Sequence, residues 1–539
     1  MQSLLEPIVK RKDRLREWFS KDSFFQALKT AVADFTRRRR EVYLDNNATT
    51  PILPTVAARM NEVLTRNYGN PSSLYRQALE ASAVLEDARR TVAGAMHADI
   101  EEIIFTSCAT EANNTVLKGL ADHFYPEKKR ILALPVEHPS VIQTLHYLAG
   151  KGLDVVWIPV DRFGNADLAQ LEALIDDQTF LIVTMYANNE IGTIQDLTRI
   201  CEIAQKHGVL VFSDCVQALG KVPLDFASCR VDYASFSAHK IHGPKGIGAL
   251  YVRKGRPIPI FMHGGHQERG FRAGTESIHN IAGFAQACRH ITDSLKKAEQ
   301  VQTLKRGLAD ALQAAKPDLQ INTPANSLPN TLNLTFPDVY NAELIAALDY
   351  YGIAAAAGSA CSTPDNKPSH VLSAIGLSDT QARQTIRLSL SEHTSKADID
   401  YATWVFREFF SGSFGSTTAL WPGQLNQSML DDPDLFILDI RFWYDRLLFS
   451  SISGSYESSL LTFKNHLDRI PADKNILVIC QGGFYSPMVA FFLRSKGYQR
   501  VSYLASGLHA WKTANPDLFA RACGENIHNL DAEGESGVI

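Results

Sequence analysis

The chain has 539 residues, of which 45% are hydrophobic and 21% charged, a globular composition that excludes wholesale disorder. Its length calls for two or more domains at ~100–200 residues each, and its net charge of −4 gives no overall nucleic-acid signature. No apolar run reaches the ~20 residues of a membrane span. Its eight cysteines lack the regular spacing of a disulfide framework, so a reducing, cytoplasmic setting is expected, where single cysteines are candidates for chemistry.

In chain order, residues 1–41 read as a basic helical extension. Residues 1–40 carry eleven Lys or Arg against five Asp or Glu and end in RRRR at 37–40. A solvated amphipathic helix is the plain reading; a basic arm for nucleic acid or an acidic surface is the functional one. The apolar stretch at the start is too short for a secretory signal, and the five acidic residues argue against a transit peptide. From EVYLDNNATTP onward, helical stretches such as SLYRQALEASAVLEDARRTVAGAM alternate with short β-rich runs: EIIFTS, RILALPVE, DVVWIPV, TFLIVTMY, GVLVFSD, YASFSA and IGALYVR. That alternation predicts an α/β domain on a largely parallel sheet. Residues 320–400 change style and predict a smaller α+β lobe, which closes a domain spanning 42–410. The segment SGSFGSTT opens a linker at 411–425. Residues 426–525 form a second, small α/β unit. The polar tail 526–539 is expected to fray.

The block YASFSAHKIHGPKGIGALYVR puts Lys240 just after a strand, beside His239 and before a Gly/Pro turn. A lysine so placed can bond covalently to an aldehyde cofactor if burial and neighbouring charge leave it partly unprotonated. Alone this is a weak signal, because most lysines are solvated. Other residues strengthen it. Pyridoxal phosphate needs a carboxylate at its ring nitrogen, and Asp214 sits at a strand end with Gln217 three residues on. Its phosphate needs backbone N–H groups at a helix start together with hydroxyls. FTSCATEANN offers a strand running into a helix, with Thr106, Ser107 and Thr110 at the turn. In VEHPSV, His138 can stack on a ring and move protons.

These residues, with YLDNNATTP, GNPSSLY, ANNEIGTIQD, SDCVQALGK, ERGFRAGT, GSACS and IRLSLS in order, resemble the cysteine desulfurases of the class-V aminotransferase group, within the fold-type I pyridoxal-phosphate enzymes. The resemblance covers roughly residues 42–408. It implies a homodimer whose Lys240 holds the cofactor covalently. It implies that Asp214 pairs with the pyridine nitrogen, Gln217 and Asn189 reach the ring-oxygen side, and His138 stacks. Ala109, Thr110, Ser237 and His239 would hold the phosphate, with Thr275 supplied by the second subunit. Arg387, helped by Asn189, would clamp the carboxylate of L-cysteine. No metal is implied. Two residues depart from the family pattern: Cys108 replaces a glycine at the phosphate turn, where close backbone approach is expected, and His266 replaces a glycine in HGGHQERG.

Cys361, in AAAAGSACSTPDNKPSHVL, reads either as an inert buried thiol or as the nucleophile at the family's GSAC position. In the second case its thiolate attacks the substrate sulfur, leaving a persulfide and alanine. The length of the loop that follows resembles desulfurases that hand sulfur directly to a partner protein. The last unit resembles a single rhodanese domain, carried by LFILDIR (Asp439, Arg441), SISGS, ICQGGFYSP and LASGLHAW. Cys480, Gly483 and Ser486 match the rhodanese loop, while Tyr485 stands in place of its arginine. A loop wrapping a strand-end cysteine stabilises an anion with backbone N–H groups. Without the guanidinium, a small anionic donor is disfavoured relative to a protein persulfide. The expectation is therefore sulfur passing from Cys361 to Cys480 and on to an acceptor in iron–sulfur or thiolation chemistry. The alternatives are a non-catalytic docking module and selenocysteine lyase activity.

Overall fold

The computed structural model describes residues 40–257, 260–358, 368–411, 418–442, 445–446, 449–483 and 485–523. Most of the expected basic extension, Cys361, much of the expected linker and the expected tail lie outside the described residues.

The first strand, β1 (Val42–Tyr43), precedes a seven-stranded sheet of β2 (Ile103–Thr106), β3 (Arg130–Ala133), β4 (Asp154–Trp157), β5 (Thr179–Met185), β6 (Leu210–Asp214), β7 (Tyr233–Ser237) and β8 (Gly248–Val252). Their order is β2-β8-β7-β6-β5-β3-β4. β8 runs antiparallel to both its neighbours and the remaining pairs are parallel. β5, TFLIVTM, is buried at every residue, as a central parallel strand covered on both faces requires. Helices α1 (Ala109–Phe124), α2 (Pro139–Ala149) and α3 (Leu197–His207) belong to the crossovers. α3 shows why the sequence pattern is readable. Asp196 caps it by accepting from the Arg199 amide, and Gly208 ends it at φ +67°, a conformation that suits glycine. Apolar clusters cover the two faces of the sheet, with Leu132, Ile182 and Phe236 on one and Ile131, Leu181 and Phe212 on the other.

The small lobe pairs β9 (Gln320–Ile321), β10 (Thr331–Thr335) and β12 (Thr385–Ser389) antiparallel, while β1 pairs parallel with β11 (Ile353–Ala354). Helix α4 (Asn341–Tyr350) leads into β11.

A third sheet, all parallel, has the order β13 (Thr418–Leu420), β17 (Val501–Leu504), β16 (Asn475–Ile479), β14 (Leu435–Asp439), β15 (Tyr456–Glu457). β13 lies within the expected linker: the Gly/Ser/Thr composition hides a short edge strand that pairs with β17. Helices α5 (Ser486–Ser495) and α6 (Gly507–Ala514) pack on this sheet. The unit rests against the small lobe through an aromatic seam. Tyr350 meets Phe491 of α5 with ring centroids 5.3 Å apart, and Tyr340 meets Trp421 at 5.2 Å. The Tyr503 hydroxyl donates to Glu343 Oε2 at 3.3 Å.

Candidate active site

Open α/β sheets place their chemistry at the carboxyl ends of strands. Asp214 closes β6 and Ser237 closes β7, whose chain turns at once through a 3-10 turn, Ala238–Lys240. Gly243 closes that turn by donating its amide to Ala238 O at 3.0 Å, and a Cβ on Gly243 would sit 2.7 Å from the same oxygen. The turn delivers Lys240 Nζ to the carbonyls of Asn47 and Ala48, both at 2.7 Å. The sequence motif NNATT thus meets the lysine motif in space.

Asp214 is buried, with Oδ1 accepting from the Val216 amide at 3.0 Å and Oδ2 from Asn113 Nδ2 at 3.2 Å. Among the described residues no basic side chain pairs with it, so its charge is available to a cationic ring nitrogen. His138 caps α2: its Nδ1 accepts from the Ser140 amide at 3.2 Å. The ring's remaining proton therefore belongs on Nε2. Burial lowers the His138 pKa, opposed by Asp214 and reinforced by Lys240 and His370, which keeps the ring neutral.

A polar network unites distant segments. Gln217 Nε2 donates to Asn47 O at 2.9 Å, and Lys221 Nζ bonds Gln217 Oε1 and, at 3.2 Å, Asn47 Oδ1. Burial, followed by Lys240 and Arg387, brings Lys221 down to about 7, with Glu392 opposing. Asn189 accepts through its carbonyl from Asn47 Nδ2 and from Arg387, both at 3.0 Å. Arg387 is 1% exposed; it also donates to Asp45 Oδ1 at 2.7 Å, and its buried Nε has no partner among the described residues.

At the expected phosphate turn, Ala109 begins α1 and Cys108 precedes it with φ −171°, extended backbone that any residue adopts. Cysteine for glycine therefore costs no backbone strain. A separate steric demand for glycine falls on Gly248 of β8, where a Cβ would lie 2.8 Å from Cys108 C and 3.0 Å from Ala109 N. Thr110 is exposed on the first turn and Ser237 is buried. His239 meets Thr49 Oγ1 at 3.1 Å; burial, then Lys240, Lys245 and Lys221, push its pKa down to about 4. Thr275 is exposed, and no contact among the described residues joins it to this cluster.

Sequence reasoning passed over Asn47, Lys221, Glu137 and Glu190, although all four lie inside the quoted motifs. Glu137 is fully buried beside His138, its carboxyl pKa raised well above the usual range by burial and by Asp214, with the Met185 amide donating to Oε1 and opposing the shift. Glu190 accepts from Ser369 Oγ at 2.6 Å, and a Cβ on Gly358 would lie 3.2 Å from its Oε2. It therefore touches both flanks of the segment that contains Cys361. Together, an unpaired buried carboxylate, a neutral ring, an amine among carbonyls, an orphaned guanidinium Nε and an uncapped helix start fit pyridoxal phosphate.

In the C-terminal unit Cys480 follows β16 and is 2% exposed, its thiol donating to Ser486 Oγ at 3.5 Å. The loop folds under α6, with the Leu508 and His509 amides donating to the carbonyls of Cys480 and Gln481 at 3.0 and 3.1 Å. Gly483 and Gly507 take φ +81° and +72°, and a Cβ on Gly507 would lie 2.4 Å from Gly483 N. Asp439 and Arg441 form a buried ion pair at 2.7 Å, and Arg441 Nη1 reaches Gln481 Oε1 at 3.3 Å. Tyr485, where rhodanese loops carry arginine, is exposed, its ring centroid 6.1 Å from that of Phe442.

Fold and site define a pyridoxal-phosphate-dependent enzyme with an appended rhodanese-like unit. The aminotransferase class-V family matches residues 42–402, and the rhodanese-like domain family matches residues 422–514. A cysteine desulfurase of Nostoc sp. (strain PCC 7120) is 40% identical over 372 residues, covering 68% of this chain and 92% of the relative. The cysteine desulfurase IscS of Escherichia coli O139:H28 is 38% identical over 386 residues, covering 70% and 95%. Among solved structures, a NifS-like protein is 40% identical with a TM-score of 0.65, covering 69% of this chain and 99% of its own. Another, SspA in complex with cysteine, is 33% identical with a TM-score of 0.60, covering 66% and 100%. The chain belongs to the class-V aminotransferase family and, within it, to the pyridoxal-phosphate-dependent cysteine desulfurases. Among the described residues no helix is long and apolar enough to cross a membrane.

Proposed function

We propose that this chain takes the sulfur of L-cysteine onto Cys361 and releases L-alanine. The observation that carries this reading is the placing of Lys240, Asp214, His138 and Arg387 in connected polar networks, Lys240 and Arg387 joined through Asn47 and Asn189, Asp214 and His138 through Asn113 and Ser140. Pyridoxal phosphate, when bound, supplies an electron sink for the substrate's α-carbon. Lys240 would hold it covalently, and its amine would move the substrate's α-proton. Asp214 would pair with its ring nitrogen, the ring of His138 would stack on it, and Gln217 and Asn189 would meet its oxygen side. Ala109, Thr110, Ser237 and His239 hold its phosphate. Arg387 orients the substrate carboxylate. The Cys361 thiolate attacks the substrate sulfur: an S–S bond forms, the C–S bond breaks, and the carbon is protonated to alanine. A homodimer is supported by the apolar residues Tyr68, Leu74, Tyr75 and Leu79, all exposed, Leu74 by 93%. Thr275 would then complete the partner's phosphate site. The desulfurase unit is taken as 42–410 and the rhodanese-like unit as 426–525, with β13 reaching back into the linker. Lys240→Ala should lose the cofactor's visible absorbance; retention of that band refutes the lysine's role. Cys361→Ser should keep the band and lose persulfide.

The rhodanese-like unit is read as the next stop for that sulfur. Exchange between the Cys361 persulfide and the Cys480 thiol moves one sulfur atom with no net oxidation, and tethering raises the effective concentration of the two groups. A second reading, a docking module that recruits the sulfur acceptor, is favoured by the burial of Cys480 at 2% exposure. Mass spectrometry after addition of cysteine separates them. Persulfide on Cys480 in the wild type but not in Cys361→Ser supports transfer; none in either supports docking. Competition between cysteine and selenocysteine tests the lyase alternative.

A further inference from the structure

We propose that His242, Glu392 and His393 form a binding site for one divalent cation of the zinc class, joining the large lobe to the small lobe behind Lys240. The site is independent of the desulfurase reading. His242 lies two residues past Lys240 in the large lobe, and Glu392 and His393 lie just past β12 in the small lobe. One donor atom from each of the three falls within 4.8 Å of the others. His242 Nε2 stands 3.4 Å from Glu392 Oε2. Ligands on a tetrahedral ion with bonds of ~2.0–2.2 Å are about 3.3–3.6 Å apart, so this edge already fits. The two imidazole rings meet edge to face with centroids 5.0 Å apart.

The hydrogen bonds around the cluster favour a metal over an ordinary ion pair. His242 Nδ1 lies 2.8 Å from Pro51 O. A carbonyl can only accept, so Nδ1 carries the proton and a neutral ring points the lone pair of Nε2 at a carboxylate oxygen. With the ring neutral, two acceptors face one another there, and either a metal cation or a second ring proton must lie between them. A proton would suffice for that pair, but it would give the third donor, His393, no task. The other groups are placed as supports of metal ligands usually are. The Pro51 carbonyl fixes the His242 tautomer, and Ser294 Oγ donates to Glu392 Oε1 at 2.8 Å, with His393 Nε2 3.9 Å from that oxygen and His242 facing Oε2. His242 is itself buried and held at φ +63°, a left-handed conformation uncommon for a side-chain-bearing residue. Its amide is anchored by Thr50 Oγ1 at 2.7 Å. From that position the ring reaches Glu392 across the lobe boundary. Two imidazoles and one carboxylate suit Zn2+ with water as fourth ligand, and disfavour Mg2+ or Ca2+, which take oxygen.

His393 is the test residue, because its side chain is 52% exposed and its removal leaves the His242–Glu392 contact intact. The holoenzyme, its accessible thiols blocked by alkylation and its metals stripped with a chelator, is dialysed against Zn2+ and assayed for bound metal and melting temperature. The wild type should retain one zinc equivalent more than His393→Ala, and zinc should raise the melting temperature of the wild type alone. His393→Asp, which restores a ligand, should recover the equivalent. Equal zinc content and equal thermal shift in wild type and His393→Ala overturn the proposal, as does a wild type that retains no zinc.

Discussion

Arg387→Lys isolates the role assigned to the guanidinium. The side chain rises from the middle of β12, where Arg387 pairs with Asn333 of β10, so lysine enters without disturbing the strand. Arginine here donates at 2.7 Å to Asp45 and at 3.0 Å to the Asn189 carbonyl, and keeps Nε unspent. Lysine preserves the charge but presents a point ammonium in place of a planar fork, so a substrate carboxylate held by two parallel bonds keeps one. A hydrogen bond to a charged group contributes about 1.5–3 kcal/mol, and each ~1.4 kcal/mol is tenfold in rate. The expected loss in kcat/KM for cysteine is therefore about 10- to 160-fold, carried mainly by KM. Alanine formation against cysteine concentration reads it, with the cofactor's absorbance band as the check that the site is assembled. Asp45→Asn supplies the opposite arm: it weakens a competing acceptor, so KM should hold or fall. A KM within twofold of wild type in Arg387→Lys refutes the clamp.

Lys221, lowered to about 7 in the folded protein, leaves the unfolded chain binding more protons between about pH 7 and its unfolded pKa near 10.4. Its charged form is disfavoured by folding, so its contribution to stability rises with pH across that window. Urea midpoints at pH 7 and 9 should rise more steeply in the wild type than in Lys221→Met, and equal slopes refute the assignment. Gly507→Ala forces a left-handed conformation at φ +72° and drives a Cβ into Gly483 N. At ~1–2 kcal/mol for the backbone alone, calorimetry should show the rhodanese-like unit melting roughly 4–16 °C lower, with alanine production unchanged. Phe491→Ala removes a buried ring from the seam with Tyr350 and should cost that unit about 3–5 kcal/mol, read as a lower denaturant midpoint.

Local signals were legible: Asp214 and Lys240 stand at strand ends marked by apolar runs, and His138 stands where a helix begins with Pro139. Contacts between remote segments were not. Gln217 meets Asn47 across 170 residues, and nothing in either motif names the other. Lys221 closed a quoted motif as a bare lysine, and only the fold shows the burial that makes its amine unusual. At Cys108 the extended backbone accepts a side chain without strain, while the glycine that the neighbouring strand requires, Gly248, was not singled out by any motif. β13 was hidden by composition, since three residues beside Ser, Gly and Thr carry no period. Cys480 shows the same limit from the other side. Its strand-end position suggested reactivity, while its cover comes from α6, some thirty residues later in the chain.

The position of α5 bears directly on whether sulfur reaches that cover. Its amino end begins at Ser486, which accepts the Cys480 thiol, and its middle presents Phe491 to Tyr350 at the end of α4. α4 runs straight into β11 and then towards the segment that contains Cys361, whose flanks meet Glu190. One helix thus touches the Cys480 thiol at one end and the small lobe along its side. A shift of α5 large enough to free Ser486 from Cys480 would also disturb the Phe491–Tyr350 contact. A change at the Cys480 thiol and a change at the seam are therefore linked mechanically through α5. If the sulfur moves, loosening the seam should change persulfide on Cys480 and shift persulfide on Cys361 in the opposite direction. If the unit only docks, loosening it should alter delivery to the acceptor while Cys480 stays unlabelled throughout.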